Sequence, residues 1–183
     1  KSTYASIVTA SDVINNTKQD VTINVTDVVE NTAPVFTSNS AFTAAENQTS
    51  IGSVVTSDTE SDSITYSLSG TDASSLAISS SGVLTFLSSP DYETKTSYST
   101  SVTANDGTDS TSQAITITIT NVNDNNPIIS SSSSFSSAEN QTGIGSISAS
   151  DADGDSLTYS LSGTDASSLS ISSSGVLTFN SAP

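Results

Sequence analysis

The chain has 183 residues, with three Lys+Arg against nineteen Asp+Glu and a net charge of −16. That imbalance argues against nucleic acid and against an anionic membrane surface as partners, since both would repel it. Cysteine and histidine are absent, which removes disulfides, thiolate sites, the commonest zinc ligand and the usual neutral-pH general base.

No apolar run approaches the roughly 20 residues of a membrane span, and the N-terminus does not read as a signal peptide. Lys1 reads as an excision point within a longer protein. A charge this lopsided destabilises a compact chain unless counter-ions are bound. Serine and threonine are abundant, but a hydrophobic fraction of 33% arranged in clear alternation separates the chain from disordered sequences.

In chain order, residues near Tyr4–Ala10 and Val21–Val25 read as two strands. Strands are then predicted near 35–42, 51–57, 63–69, 75–79, 83–87, 97–105 and 113–122. Their period is two: Ile64, Tyr66 and Leu68 alternate with Thr65 and Ser67, and Ile115, Ile117 and Ile119 alternate with threonines. Tyr98, Thr100, Val102 and Ala104 keep the same rhythm, and Leu84 with Phe86 forms a shorter one. Ser69-Gly70, Ser81-Gly82 and Asp106-Gly107 punctuate these runs at the spacing of an antiparallel sandwich. No stretch sustains the 3.6-residue period of a helix.

The pattern repeats. Ser67–Leu76 recurs unchanged as Ser160–Leu169, and Ile78–Phe86 as Ile171–Phe179, a shift of 93 residues. Ala45-Glu46-Asn47-Gln48-Thr49 recurs at Ala138–Thr142 with that shift. Tyr4, Ala10, Asp12 and Gln19 match Tyr98, Ala104, Asp106 and Gln113 at a shift of 94. Residues 1–33 therefore read as the last two strands of a unit plus a linker, 34–126 as a whole seven-stranded unit, and 127–183 as the first five strands of a third. Joined tail to head, the two ends would nearly complete one unit.

Asn121-Val122-Asn123-Asp124-Asn125-Asn126-Pro127 is rich in oxygen ligands and makes a poor strand and a poor helix. Such a segment makes sense as a linker whose oxygens are held by a hard cation, because calcium takes about six to eight oxygen ligands. The acidic turn Asp151-Ala152-Asp153-Gly154-Asp155 lies just downstream.

Taken together, Ala45-Glu46-Asn47, Asp91-Tyr92-Glu93, Asn105-Asp106-Gly107, the 121–127 linker and Asp151-Ala152-Asp153 resemble the motif series of cadherin repeats, as found in animal adhesion receptors and long bacterial surface proteins. The resemblance covers the whole chain. It implies an all-β fold of tandem cadherin/Ig-like sandwiches, and calcium at the junctions between consecutive units. Carried over residue by residue, the second junction would use Glu46, Asp91 and Glu93 from one unit, Asn123, Asp124 and Asn125 from the linker, and Asp151 with Asp153 from the next.

The first junction would draw on Asp27, Glu30 and Asn31 of its linker, on Asp58 and Glu60, and on the late aspartate Asp106. It departs from the family pattern. Its linker is one residue longer, Glu60 replaces an aspartate, and the N-terminal piece lacks its own glutamate and central acidic motifs. Position 121 is Asn where the family usually has Asp. The late aspartate of the C-terminal unit is missing, and only Asp12 of another chain could stand in for it. The second junction is expected to bind calcium better.

Other readings of these residues are weaker. The Asp151–Asp155 run lacks the glycine and the bidentate glutamate of an EF-hand. The Thr116/Thr118/Thr120 ladder reads as an exposed strand face more readily than as an ice- or sugar-binding surface. Asn24-Val25-Thr26 and Asn47-Gln48-Thr49 are glycosylation sequons of a kind frequent by chance. Asp91 and Glu93 at i and i+2 read as ligands instead of a glycosidase pair, with no aromatic-lined cleft beside them.

The expected function is a calcium-rigidified extracellular structural or adhesion module without enzymatic activity, of a secreted bacterial surface type. Its partners would be other copies of the repeat, with a cell-surface protein or glycan as a further class. A filament built by head-to-tail strand complementation is the alternative. A carbohydrate-binding accessory role ranks last, as the chain has no tryptophan.

Overall fold

The computed structural model describes residues 2–26, 28 and 30–183, and its regular structure is strand apart from two single 3-10 turns. No helix among them is long and apolar enough to cross a membrane. The first alternating runs form a hairpin of β1 (Thr3–Ser11) and β2 (Asn16–Asn24), in register from Thr3 opposite Asn24 to Ser11 opposite Asn16. Asp12 closes its turn: its Oδ1 accepts the N–H groups of Ile14, at 2.8 Å, and Asn15. An aspartate bonded to the backbone just ahead of it stands in for a backbone turn. Val21 is half-buried and every other residue of the two strands is exposed.

Residues 34–126 carry nine strands: β3 (Val35–Phe36), β4 (Ala41–Ala45), β5 (Ser50–Ser53), β6 (Thr56–Ser57), β7 (Thr65–Ser69), β8 (Leu76–Ile78), β9 (Val83–Phe86), β10 (Ser97–Asn105) and β11 (Ser110–Thr120). One sheet has the order β4-β11-β10-β7, a second has β5-β9-β8, and β3 pairs with β6. The alternation read from the sequence decides the core. Ile115, Ile117 and Ile119 of β11 and Val102 of β10 pack on Leu76, Leu84 and Phe86 of the second sheet, together with Ala44 and Val54. Fully burying one such side chain contributes about 1.5–3 kcal/mol. The three isoleucines alone are therefore comparable with the net stability of a small domain, about 5–15 kcal/mol.

Two of the seven expected strands are interrupted. The run near 35–42 splits into β3 and β4, because the chain leaves β6 and crosses to lie parallel to β11. The run near 51–57 splits into β5 and β6 after a register shift between Ser50 and Gly52, with Val54 donating its N–H to Gly82 O at 2.9 Å instead of joining a ladder. A strand lasts only as long as its hydrogen-bonding partner does.

The C-terminal residues repeat half of this plan: β12 (Ile128–Ile129) pairs with β14 (Ala149–Ser150), and β13 (Gly143–Ser146), β16 (Val176–Phe179) and β15 (Leu169–Ile171) form a three-stranded sheet. The strand expected in this unit at the position of β7 does not form. Residues 158–162 have no ladder, and neither have 134–138 at the position of β4. The partners those segments take in the complete sandwich are β10 and β11, whose equivalent positions in this unit fall beyond residue 183.

Both sandwiches share one tight turn. Gly82 has φ +80°, and a Cβ there would lie 2.4 Å from Val54 O; Gly175, at φ +81°, would place one 2.2 Å from Ile147 O. Both the left-handed backbone and the clash with a carbonyl forbid a side chain. Gly82→Ala is expected to destabilise the protein by about 2 kcal/mol or more, read as a lower midpoint in urea unfolding.

Candidate metal centre

Glu46 follows directly on β4 and is 1% exposed. A buried carboxylate needs strong partners, and Glu46 has two from distant parts of the chain. Its Oε2 accepts the N–H of Tyr92 and its Oε1 that of Val122, both at 2.7 Å. One side chain thus ties the Asp91–Glu93 loop and the start of the linker to the end of β4. Tyr92 and Val122 stand one and two residues from Glu93 and Asp124, so the clamp carries both acids to the same pole.

The result is a convergence of charge. Carboxylate oxygens of Glu46, Glu93, Asp124 and Asp153 all lie within 4.8 Å of one another. Asp153 comes from the C-terminal sandwich and is held to the linker by Asn125, whose backbone N–H reaches its Oδ2 at 2.8 Å and whose amide reaches its Oδ1 at 3.2 Å. The same amide donates to Asp124 Oδ1 at 2.7 Å, and Asn47 donates to Asp124 Oδ2. Asn121 donates to the Asp153 backbone carbonyl at 2.9 Å, and Asn123 to Asp155 Oδ2. Amide donors hold the acids in place without neutralising them.

The titration of the group records the crowding. Burial, with the charges of Glu46 and Asp153, pushes Glu93 above the ordinary glutamate value of 4.5. Burial also pushes Asp153 up, but the Asn125 backbone N–H and amide outweigh it, and the net shift is below the ordinary 3.8. The set is all oxygen and all hard, which suits calcium and not a soft metal. These donors fit a calcium ion.

Of the residues the sequence assigned to this junction, Glu46, Glu93, Asp124 and Asp153 converge, with Asn125 among their hydrogen-bond donors. Asn123 and Asp151 line an adjoining cleft of about 420 Å³ together with Asn125 and Asp155. Asp91 turns back into its own loop, accepting the Thr94 hydroxyl at 2.7 Å and the N–H of Glu93 at 3.0 Å; the Thr94 hydroxyl holds it below the ordinary aspartate value.

At the first junction, Asp27 lies outside the described residues. Asn31 donates to Asp106 Oδ2 at 3.0 Å and to Asp109 Oδ2 at 2.9 Å. Thr32 donates its N–H and its hydroxyl to Glu60 Oε2, at 3.2 and 2.6 Å. Asp58 Oδ1 accepts the N–H of Asp62 at 2.9 Å, while its Oδ2 is buried with no hydrogen-bond partner, an orphan that a cation would satisfy. The Asp109 and Thr108 N–H groups hold Asp106 below the ordinary value. Glu30 is exposed. Among the described residues no group of three or more acids converges here.

Sequence reasoning missed Asp155, Asp109 and the amide contacts of Asn47 and Asn121, one each. Asp155 was readable as the third acid of its run and Asp109 as an acid three residues beyond Asp106. The asparagines carry no charge pattern to find them by.

The family profile of a bacterial Ig domain matches residues 31–120. Among solved structures, the chain is similar to mouse cadherin-23 EC22-24 at 26% identity and a TM-score of 0.78, covering 99% of this chain and 64% of that one. It is similar to human protocadherin-24 EC1-2 at 22% identity and 0.70, covering 84% and 79%. Against Drosophila N-cadherin EC1-4 the values are 24% and 0.68, with coverage of 94% and 46%. No curated protein matches the chain in sequence.

Glu46→Ala should cost about 2–6 kcal/mol, since it leaves two backbone donors unpaired at about 1–3 kcal/mol each. Urea unfolding in a chelator reads this loss free of any contribution from metal.

Proposed function

We propose that this chain of cadherin-like, Ig-like sandwiches is an extracellular structural and adhesion module whose units are fastened end to end by calcium. The division is 1–33, 34–126 and 127–183. The observation that carries the reading is the meeting of Glu46, Glu93, Asp124 and Asp153, which come from two segments of one sandwich, from its linker and from a turn of the next. Like charges drawn from four places repel one another, and a cation bound among them would turn that repulsion into attraction.

Calcium supplies the positive charge and coordination sites that let these oxygens share one place. The rest is done by the chain. Glu46 sets the pole, Glu93 and Asp124 present oxygens from its two sides, and Asp153 reaches across from the next sandwich. Asn125 locks Asp153 to the linker, and Asn123 with Asp151 borders the same cleft. Asp91 supports the loop that carries Glu93. The first junction, with Asn31, Asp58, Glu60, Asp106 and the neighbouring Asp27 and Glu30, is the weaker site.

With cation bound, the two sandwiches move as one body, and without it the acids repel and the linker loosens. Affinities of extracellular modules of this kind are about 10⁻⁴ to 10⁻³ M, so the rod is stiff where calcium is plentiful, outside cells. The partners this reading assigns are other copies of the repeat, and it gives the chain no catalytic role.

Calcium at a hundred times its dissociation constant should stabilise the fold by about 2.7 kcal/mol, seen as a higher melting temperature and a longer, stiffer particle in solution scattering. Removing it with EGTA reverses both. Asp124→Ala with Asp153→Ala should abolish the calcium increment; an unchanged increment in that variant, or no response of the parent to EGTA, would sink the assignment.

Glu93→Gln should move stability in opposite directions. Because the folded value of Glu93 is raised, its contribution without metal is full below the ordinary 4.5 and is lost as pH rises through the raised value. At neutral pH in chelator the neutral glutamine therefore melts higher than the parent, while in calcium it melts lower because a ligand charge is gone. Calorimetry at the two conditions checks both signs.

A further inference from the structure

Both linkers of this chain hold the sandwich that follows them in the same way, and we propose that this contact is a latch that works without the cation: Thr32 on Glu60 at the first junction, Asn125 on Asp153 at the second. The partners are repeat equivalents. Glu60 and Asp153 are related by the 93-residue shift, and Thr32 and Asn125 each stand two residues before a proline, Pro34 and Pro127. At each junction one linker residue gives two bonds to one carboxylate. Thr32 donates its N–H and its hydroxyl to Glu60 Oε2, at 3.2 and 2.6 Å. Asn125 donates its N–H to Asp153 Oδ2 at 2.8 Å and its amide to Oδ1 at 3.2 Å.

The turns that carry the two acids are alike as well. Asp62 donates its N–H to Asp58 Oδ1 at 2.9 Å, and Asp155 donates its own to Asp151 Oδ1 at 3.3 Å. Ser61 and Gly154, at the same repeat position, are both left-handed, with φ of +66° and +79°. Glycine adopts that backbone freely, whereas a serine does so under strain, which persists where the surroundings fix the chain. The first turn therefore keeps the shape of the second although its sequence does not favour it.

Comparing the junctions separates the latch from the cation site. Asp153 is one of four converging acids, but among the described residues no such group forms around Glu60. The latch is present at both, so the convergence of acids is not what makes it. Its bonds run from neutral donors to a carboxylate, and hydrogen bonds with one ionised partner are the stronger kind.

At the second junction the linker divides its bonds between alternate residues. The amides of Asn121 and Asn123 join Asn125 on the following turn, reaching the Asp153 carbonyl at 2.9 Å and Asp155 Oδ2. Val122 and Asp124 bond to the preceding sandwich, through Glu46 Oε1 and the Asn47 amide. Removing a cation then frees Glu93 and Asp124 from Asp153 but leaves the linker seated on its turn. Asn125 thereby serves as a positioning residue, presenting Asp153 before an ion arrives and leaving less to be ordered on binding. That consequence rests on the calcium reading, whereas the latch itself does not.

Amide hydrogen exchange of the full chain in EGTA tests this. The N–H groups of Thr32 and Asn125 should exchange slowly in the parent without metal. Glu60→Ala should speed Thr32 alone and Asp153→Ala should speed Asn125 alone, each by about tenfold or more, the weight of a hydrogen bond to a charged acceptor. The N–H of Ile117 in β11 reports in the same measurement whether the central sandwich stays folded. Should a variant lose that protection, Glu60→Gln or Asp153→Asn, which keep the shape and weaken the acceptor, takes its place with the same direction expected. Exchange of Thr32 and Asn125 at the rate of an open chain in EGTA overturns the proposal. So does protection that appears only once calcium is added, or that survives loss of the acid. Slow exchange in EGTA with no response of the melting temperature to calcium upholds the latch and removes the calcium reading alone.

Discussion

The buried carboxylate of Glu46 is the constraint on which the arrangement rests. It cannot stay dry without donors, and the two it uses belong to Tyr92 and Val122, segments 46 and 76 residues away. Satisfying it pins a loop and a linker to the end of β4. The pentapeptide Ala138–Thr142 repeats that around Glu46, and Asn140 has the same φ of 61° as Asn47. Glu139 is nonetheless exposed, and the positions equivalent to Tyr92 and Val122, which supply the two N–H groups to Glu46, fall beyond residue 183.

That clamp concentrates negative charge in a chain already strongly acidic. The junction is held by neutral donors: Asn47, Asn123 and Asn125 orient carboxylates, Asn121 holds the Asp153 backbone carbonyl, and no lysine is among the described residues that hold them. The ion pair between Lys95 and Asp72 sits elsewhere, bracing the start of β10, where Asp72 Oδ2 also accepts the N–H of Ser99 at 2.8 Å. A junction oriented by amides and left charged by its acids depends on an external cation, which makes stiffness a property of the surroundings as much as of the chain. The first junction shows the contrast. Threonine stands where Asn125 stands in the second, and Glu60 is occupied by Thr32 instead of joining other acids.

Much of this was legible beforehand because it is local. Alternation names the inward residues of β10 and β11 without reference to anything else, as Val102, Ile115, Ile117 and Ile119 demonstrate. The repeat and the linker were visible as composition and spacing, and the acids that could meet around the linker followed from the resemblance to cadherin repeats. The interruption of two strands was not, since it depends on a chain changing partner between sheets, and the contacts of Asn47 and Asn121 were not, since an uncharged amide leaves no pattern.

Ser160–Leu169 marks the boundary between the two kinds of information. It is identical to Ser67–Leu76, with the same 3-10 turn and the same short strand after it. Those features come from bonds a few residues apart, and the amino-acid sequence alone determines them. The strand before the turn exists only at Thr65–Ser69, where β10 lies alongside. A ladder needs a second backbone and a buried carboxylate needs distant donors, so which strands persist, and which acids meet, was decided by the tertiary structure.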